Sequence, residues 1–409
     1  MTNITARSID NIQISLRKAD GTMPKKRILI ITRNLPPLVG GMERLNIHMA
    51  QELSKYADVK IIGPKGAAAV NPSDIVIFEA PLSPLPLFMV TAFFKALWVA
   101  LVWRPNLILA GSGLTAPLAW GISKVCSAES AAYLHGFDIT VKHTIYQKLW
   151  APVFKRLGYV MVNSSPTQKL ALAAGVSESK VAIIYPGVKL PDKPQPPENI
   201  QAFRAEYGLV GKKVLLSVGR LTTRKGLREF VELALPAILK IEPNTILLVI
   251  GEEPKNSLGA NIQTIDSIQN QAKKSGVADS IKFLGVITDK IKLATAYEVA
   301  DVHVFPVRHI PNDPEGFGMV AIEAAAHGLA TVAFSTGGIV DAVSDKKSGY
   351  LVEKNNYEEL IKHVLKALIE PLDNKEMVDF SKEFTWEVFG RKISQFFSTE
   401  TKIKTTTKR

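Results

Sequence analysis

A single cysteine, Cys126, stands in 409 residues. It excludes an internal disulfide and a cysteine-based metal site, and it fits a reducing compartment, the cytoplasm by default. Asp-x-Asp and His-x-x-x-His are missing, and no histidines cluster with carboxylates at helical spacing, so no metal or other cofactor is expected. No G-x-S-x-G or similar nucleophile signature occurs. The opening stretch, "MTNITARSIDNIQISLRKADGTMPKK", holds no apolar h-region, which argues against a signal peptide and makes residues 1–25 a loose arm. Acids are few beside the bases: 38 Asp and Glu against 50 Lys and Arg leave a net charge of +12, which calls for an anionic partner. Nucleic acid, a phosphate-bearing substrate and a membrane surface all qualify by charge. Aromatic and basic residues are not interleaved in any run that would stack bases, so nucleic acid is not expected.

What is present is a repeated alternation. Short apolar runs ("KRILIIT", "VKIIGP", "DIVIFEA", "LILAGSG", "AAYLHG", "VMVNSS", "VAIIYPGV") are followed by helical patterns, as expected of parallel strands buried on both faces. "KLPDKPQPPENI" then breaks the periodicity, and the alternation restarts with "KVLLSVGR", "TILLVIG", "IKFLGVI", "DVHVFP", "ATVAFS" and "SGYLV". The reading is α/β: two doubly wound, Rossmann-like domains facing across a cleft. Residues 26–188 form the first, 189–200 a linker, 201–385 the second, and 386–409 a C-terminal helix around Trp386 to Phe397 with a frayed tail. One segment, "LPLFMVTAFFKALWVALVW" (Leu85 to Trp103), is nearly long enough to span a bilayer. Lys95 interrupts it and strand-like runs flank it, so a domain helix is favoured over a spanning helix, and whether its apolar side lies on a membrane is left open.

Ligands of open α/β sheets gather outside the carboxyl ends of the strands, so the chemistry belongs in the loops that follow them. After "KVLLSVG" comes "RLTTRKG", which sets Arg220 and Lys225 at a strand end; two cations there suit a diphosphate, although taken alone this is an ordinary basic loop. After the first strand, "RNLPPLVGGMERL" places Gly40 and Gly41 at a helix start, in neither a G-x-G-x-x-G nor a P-loop pattern. "LHGFD" presents His135 and Asp138 at another strand end, where a histidine can donate, accept or carry a proton, or simply be structural. In "DPEGFGMVAIEAAAHG", a helix beginning near Gly318 offers unpaired N–H groups and a positive dipole end to a phosphate oxygen. Glu323 falls in the second turn and tilts back toward that end, while Glu315 lies before the helix. The residues themselves leave two readings open for both acids: ligand contact, or a dipole partner and a solvated face.

Taken together, "PPLVGGMERL", "LHGFD", "SVGRLTTRKG" and "EGFGMVAIE" resemble the retaining glycosyltransferases of family 4, which have the GT-B fold. The resemblance spans residues 26–352 with the motifs in the family's order, and Glu315 and Glu323, with seven residues between them, match its paired-glutamate signature. It implies a nucleotide-sugar donor held mainly by the second domain, with Arg220 and Lys225 on the diphosphate and Glu323 on the ribose hydroxyls. Glu315 and the amides of Gly316, Phe317, Gly318 and Met319 would hold the donor sugar and phosphate. His135 would face the sugar, and Gly40 and Gly41 would let the diphosphate approach their helix. The resemblance also implies transfer with retention and without metal.

Two departures stand out. "GEEPKNSLG" carries Glu253 where many relatives have the second glycine of a Gly-x-Gly turn, and "PGVK" carries Lys189 where Asp is frequent. The first touches the base-binding loop, so UDP and GDP donors both remain open. A GT-B nucleotide-sugar epimerase and a non-catalytic sugar-nucleotide or membrane-binding protein are the rival readings. The basic balance and the apolar helix together point to a glycan or lipid-linked acceptor, and to a cytoplasmic protein peripheral on the inner face of the cytoplasmic membrane. Cell-envelope polysaccharide or lipopolysaccharide synthesis is the expected setting.

Overall fold

The structure, a computed structural model, describes residues 25–71, 73–254 and 261–406. Residues 1–24 of the expected arm, 255–260 of the loop after Glu253, and 407–409 of the expected frayed tail lie outside them.

Among the described residues, thirteen strands build two all-parallel sheets. The first contains β1 (Lys26–Ile31), β2 (Ala57–Pro64), β3 (Val76–Ala80), β4 (Leu107–Ala110), β5 (Glu129–Leu134), β6 (Tyr159–Val162) and β7 (Val181–Ile183), in the order 3-2-1-4-5-6-7. The second contains β8 (Lys213–Val218), β9 (Thr245–Ile250), β10 (Ile281–Gly285), β11 (Val302–Phe305), β12 (Thr331–Phe334) and β13 (Gly349–Val352), in the order 10-9-8-11-12-13. Each of the thirteen apolar runs read from the sequence is one of these strands. The reason is double burial. Leu29 and Ile31 of β1 pack under the helix Leu85–Trp103, whereas Ile28 and Ile30 face the helix Gly41–Ser54 on the other side. In β8, Leu215 and the pair Val214 and Leu216 likewise serve opposite layers. With both faces covered, a strand has no polar side to show, hence the continuous apolar runs.

The strand order reverses at β1/β4 and at β8/β11, which makes the carboxyl ends of these strands the crevices of the two sheets. The chain passes between the halves twice, side by side: the Val188 amide donates to the Phe384 carbonyl at 2.7 Å, and Val188 bridges Thr385. Two elements differ from expectation. The helix Pro197–Glu206 begins inside the expected linker, because proline is tolerated in a first turn, where its missing N–H has no partner anyway. The final helix, Trp386–Thr406, runs past Phe397 into the segment expected to fray, since no glycine or proline interrupts residues 391–406. It returns to the first sheet: Trp386, Phe389 and Ile393 join the core beside Leu45 and Met49, and Trp386 stacks on His48 with ring centroids 4.2 Å apart.

Candidate active site

The second half supplies a charged cluster. The loop after β8 forms a single 3-10 turn, Thr223–Lys225, whose cations meet the loop that precedes the helix Met319–Ala326. Lys225 Nζ donates to Glu315 Oε2 at 3.0 Å and lies 4.5 Å from the centroid of the Phe305 ring. Arg224 Nε donates to the same oxygen at 3.1 Å, and its other arm pairs with Asp313. Burial pushes the Glu315 carboxyl up, but Lys225 and Arg224, with Arg220 adding to them, outweigh it and hold the group down at about 2. Burial lowers Lys225 against the opposing pull of Glu315, so its ammonium is less strongly basic than an exposed lysine. Arg220 is exposed and, among the described residues, has no hydrogen-bond partner. It is the free cation of the cluster.

The backbone between the two glutamates is shaped by glycine. Gly318 sits at φ +94°, in the left-handed region, and leads directly into the helix, so its neighbours' N–H groups are turned outward at the helix start. Gly316 is needed for a different reason: a Cβ there would lie 2.5 Å from Asn163 Nδ2 and 2.9 Å from the His135 carbonyl oxygen. The loop between the two glutamates therefore lies directly against the first half. The Gly338 amide donates to the Glu315 carbonyl at 2.8 Å and braces the loop from behind.

The first half contributes the opposing wall. Gly40 caps the helix Gly41–Ser54, and a Cβ on Gly40 would lie 3.9 Å from Arg220 Cζ; one on Gly41 would lie 3.6 Å from Met319 Sδ. His135, at the end of β5, is buried; its Nε2–H donates to the Gly111 carbonyl at 3.0 Å, and its amide donates to Asp138 Oδ2 at 3.0 Å. The two halves are tied by Thr140 Oγ1 to the Asn312 carbonyl at 2.9 Å and by Ser165 Oγ to Asp341 Oδ1 at 2.8 Å.

Glu323 is placed as the helical spacing predicts, in the second turn, but its oxygens are engaged. Oε2 accepts from the Tyr297 hydroxyl at 3.0 Å, and Oε1 pairs with Arg44 of the first half. Phe317 is buried, stacked 5.4 Å from Tyr185, and serves the packing of the loop. His303 is fully buried on β11 with Nδ1 3.0 Å from Thr331 Oγ1. Among the described residues no group of three His, Cys, Asp or Glu side chains is placed to hold a metal ion. The sequence reading brings its eleven site residues to one cleft but omits Arg224, Asp313, Tyr297 and Arg44. Arg224 and Asp313 lie inside motifs already singled out, one residue from Lys225 and two from Glu315, and that adjacency was the signal. Arg44 likewise lies inside the quoted "GGMERL", three residues from Gly41, whereas Tyr297 had no such signal.

Two family models match successive parts of the chain: Glycosyltransferase Family 4 over residues 39–191 and Glycosyl transferases group 1 over residues 199–384. The chain belongs to glycosyltransferase family 4. This glycosyltransferase is 24% identical to a GDP-mannose-dependent alpha-(1-6)-phosphatidylinositol monomannoside mannosyltransferase of Mycolicibacterium smegmatis, over 91% of its own length and 98% of the relative's. It is 32% identical to a D-inositol 3-phosphate glycosyltransferase of Segniliparus rotundus over 51% of its own length and 44% of that protein's. In fold it is similar to Anabaena HepE, solved in complex with UDP, with a TM-score of 0.75 and 19% identity over 91% of this glycosyltransferase and 100% of the solved chain. The two facing parallel sheets are those of the GT-B architecture.

Proposed function

We propose that this glycosyltransferase moves a hexose, with retention of anomeric configuration and without a metal ion, from a UDP- or GDP-sugar to a glycan or lipid-linked acceptor. The setting is cell-envelope polysaccharide or lipopolysaccharide synthesis at the cytoplasmic face of the membrane. One observation carries the reading: Arg220 and Met319, at the start of the helix Met319–Ala326, stand against Gly40 and Gly41 of the first half, and Lys225 joins Arg220 around Glu315. A diphosphate there would meet two side-chain cations and outward-turned amides, the electrostatic work a metal does elsewhere. The mannosyltransferase relative is named for a GDP-sugar and a lipid acceptor, and HepE was solved with UDP, which supports the class while leaving the base open.

The roles follow from position. Arg220 and Lys225 take up the negative charge that grows on the leaving diphosphate, and because Lys225 is already fixed by Glu315 and Phe305 it needs little reorganisation to do so. Glu315 and the loop Gly316–Met319 hold the sugar and the adjoining phosphate, and Glu323 receives the ribose hydroxyls. His135 closes the sugar side from the first half. The leaving phosphate oxygen accepts the acceptor's proton on the face from which it departs, so the new bond forms on that face. Contact between the halves keeps water from the oxocarbenium-like centre.

A thermal-shift screen of UDP- and GDP-sugars tests donor binding, since a ligand bound to the folded state raises its melting temperature. Turnover of the stabilising donor is then followed by NMR of the anomeric proton with and without chelator. An inverted product, or activity abolished by the chelator, sinks the mechanism. Isomerised donor formed in the absence of any acceptor assigns an epimerase instead.

A further inference from the structure

The helix Leu85–Trp103 is apolar on both sides. Its inner side is core: Phe88, Ala92, Ala96 and Ala100 are fully buried against β1 and its neighbours. Its outer side carries Leu87, Val90, Phe94, Trp98, Leu101 and Val102, all exposed, with Phe94 at 63% and Val102 at 70%. The spacing of three and four residues lines them along a single stripe. At 1.5 Å per residue the stripe, from Leu87 to Val102, is roughly 23 Å long. It begins where the chain leaves the carboxyl end of the edge strand β3, so its upper end stands on the side of the sheet from which the cleft loops also leave.

The same layer extends sideways. Tyr146 and Phe154 share the core cluster of this helix, and Trp150 Nε1 donates to the Leu114 carbonyl at 2.9 Å, seating the segment Tyr146–Trp150 on the same face of the sheet. Ile145 and Leu149 there are exposed. Charge reinforces the pattern. Across residues 80–157 there are seven Lys and Arg, every one exposed, Arg104, Lys124, Lys148 and Arg156 among them. The two acids of this stretch, Glu129 and Asp138, are not exposed. Within this stretch every exposed charge is therefore a cation, and the exposed acids nearest the helix, Asp58 and Asp74, stand beside Trp103 at its far end.

We propose that this outer layer of the first half is a docking face for an anionic lipid bilayer, on which the helix Leu85–Trp103 lies in the interfacial plane. A spanning arrangement is ruled out by the inner side of the helix, whose departure would uncover Leu29, Ile31 and Ile108. An in-plane helix instead keeps its core contacts and inserts only the outer stripe, while the cations meet phosphate headgroups. Because the stripe starts on the same side of the sheet as the loop that carries His135, an acceptor anchored in the bilayer would be presented toward the carboxyl ends of the strands. The inference deepens the proposed function by naming the surface that presents a lipid-borne acceptor, but it stands on this surface alone.

The test is flotation of the full chain with vesicles of phosphatidylcholine, alone or with about one third phosphatidylglycerol. The wild type should float with the anionic vesicles, and added salt should release part of it. Phe94→Glu with Trp98→Glu should lower the bound fraction by about tenfold or more. Lys124→Glu with Lys148→Glu should weaken binding by about fivefold or more for each cation lost. Melting shifts with UDP and GDP, unchanged in all variants, show that the chain remains folded and the cleft intact. Three results overturn the docking face: a wild type that stays soluble beside anionic vesicles, aromatic variants that float as well as the wild type, or a dimer that these substitutions dissolve. A chain that floats but ignores nucleotides would instead remove the proposed reaction and leave this face standing.

Discussion

The two sheets share one strand order over six strands, yet the halves are dressed for opposite purposes. At the cleft, the second half carries the charge, with Arg220, Arg224, Lys225, Asp313, Glu315 and Glu323 in its loops, while the first offers a glycine pair and a buried histidine. On the outside the contrast reverses. The helix between the third and fourth strands of the first half is Leu85–Trp103, whose lone charged residue is Lys95. Its counterpart in the second half, between β10 and β11, is Lys290–Val299, ten residues long, with Lys290, Lys292 and Glu298 and an outward ion pair from Lys292 to Glu206 at 2.8 Å. The fold sets where a helix or loop goes; it does not dictate the chemistry shown there. An apolar outer stripe at one of two equivalent positions is therefore a property of that half and not of the architecture.

The sharpest way to break the division of labour is to remove its cations. Lys225→Ala or Arg220→Ala should cut transfer by roughly a few hundredfold, the scale of losing one group that stabilises developing charge. Turnover measured at saturating donor decides it, and near-normal rates in both variants would mean that the charged half is not where the diphosphate leaves.

Glu315 tests the same cluster through stability. Its carboxyl is held at about 2 in the folded chain against an ordinary value of 4.5, so ionisation of Glu315 favours folding wherever the pH lies above 4.5. That contribution is lost as the pH falls from 4.5 toward 2, where the folded state also takes up the proton. Glu315→Gln should cost of order 3 kcal/mol at neutral pH, the free-energy equivalent of that shift. The gap between the two proteins in denaturant midpoints should narrow through this acid window. A gap that is independent of pH would show that the cations do not hold Glu315 down.

A smaller effect is expected at the seam between the halves. Gly316→Ala places a methyl group against the His135 carbonyl and Asn163, so the halves must part by a few tenths of an ångström or more. About a tenfold fall in turnover should follow, since small misplacements of reacting groups are costly. Melting shifts with nucleotide should survive, because the cations of the second half are untouched. Loss of both would place the damage in the folding of the loop.

How much of this was legible beforehand follows from range. Strands were legible because double burial writes a continuous apolar run into the local sequence, and the cleft loops because tight turns demand glycines beside the residues they serve. The ends of elements were less so: the helix at Pro197 hid behind prolines that read as a linker, and the last helix passed through a polar stretch that nothing in fact terminates. Side-chain pairings across the cleft left no local mark. Arg44 and Glu323 are 279 residues apart, and only the docking of one half on the other brings them together.

That pair offers the finest test of the comparison, because Arg44 is a charge that the first half sends into the charged half. Arg44 occupies one oxygen of Glu323 and Tyr297 the other, so a ribose that is to use this carboxylate must displace at least one of them. Arg44 is the one to leave: its side chain is 46% exposed, whereas Tyr297 is buried and its hydroxyl is held neutral by burial and by the nearby Glu323. Solvent screening limits such a pair to about 1 kcal/mol. Arg44→Ala should therefore tighten UDP or GDP binding by about fivefold, measured calorimetrically, with the largest part of the gain in the nucleoside and not in free pyrophosphate. Weaker nucleotide binding in the variant would reverse the picture, making Arg44 a donor ligand contributed by the first half and the division of charge between the halves incomplete.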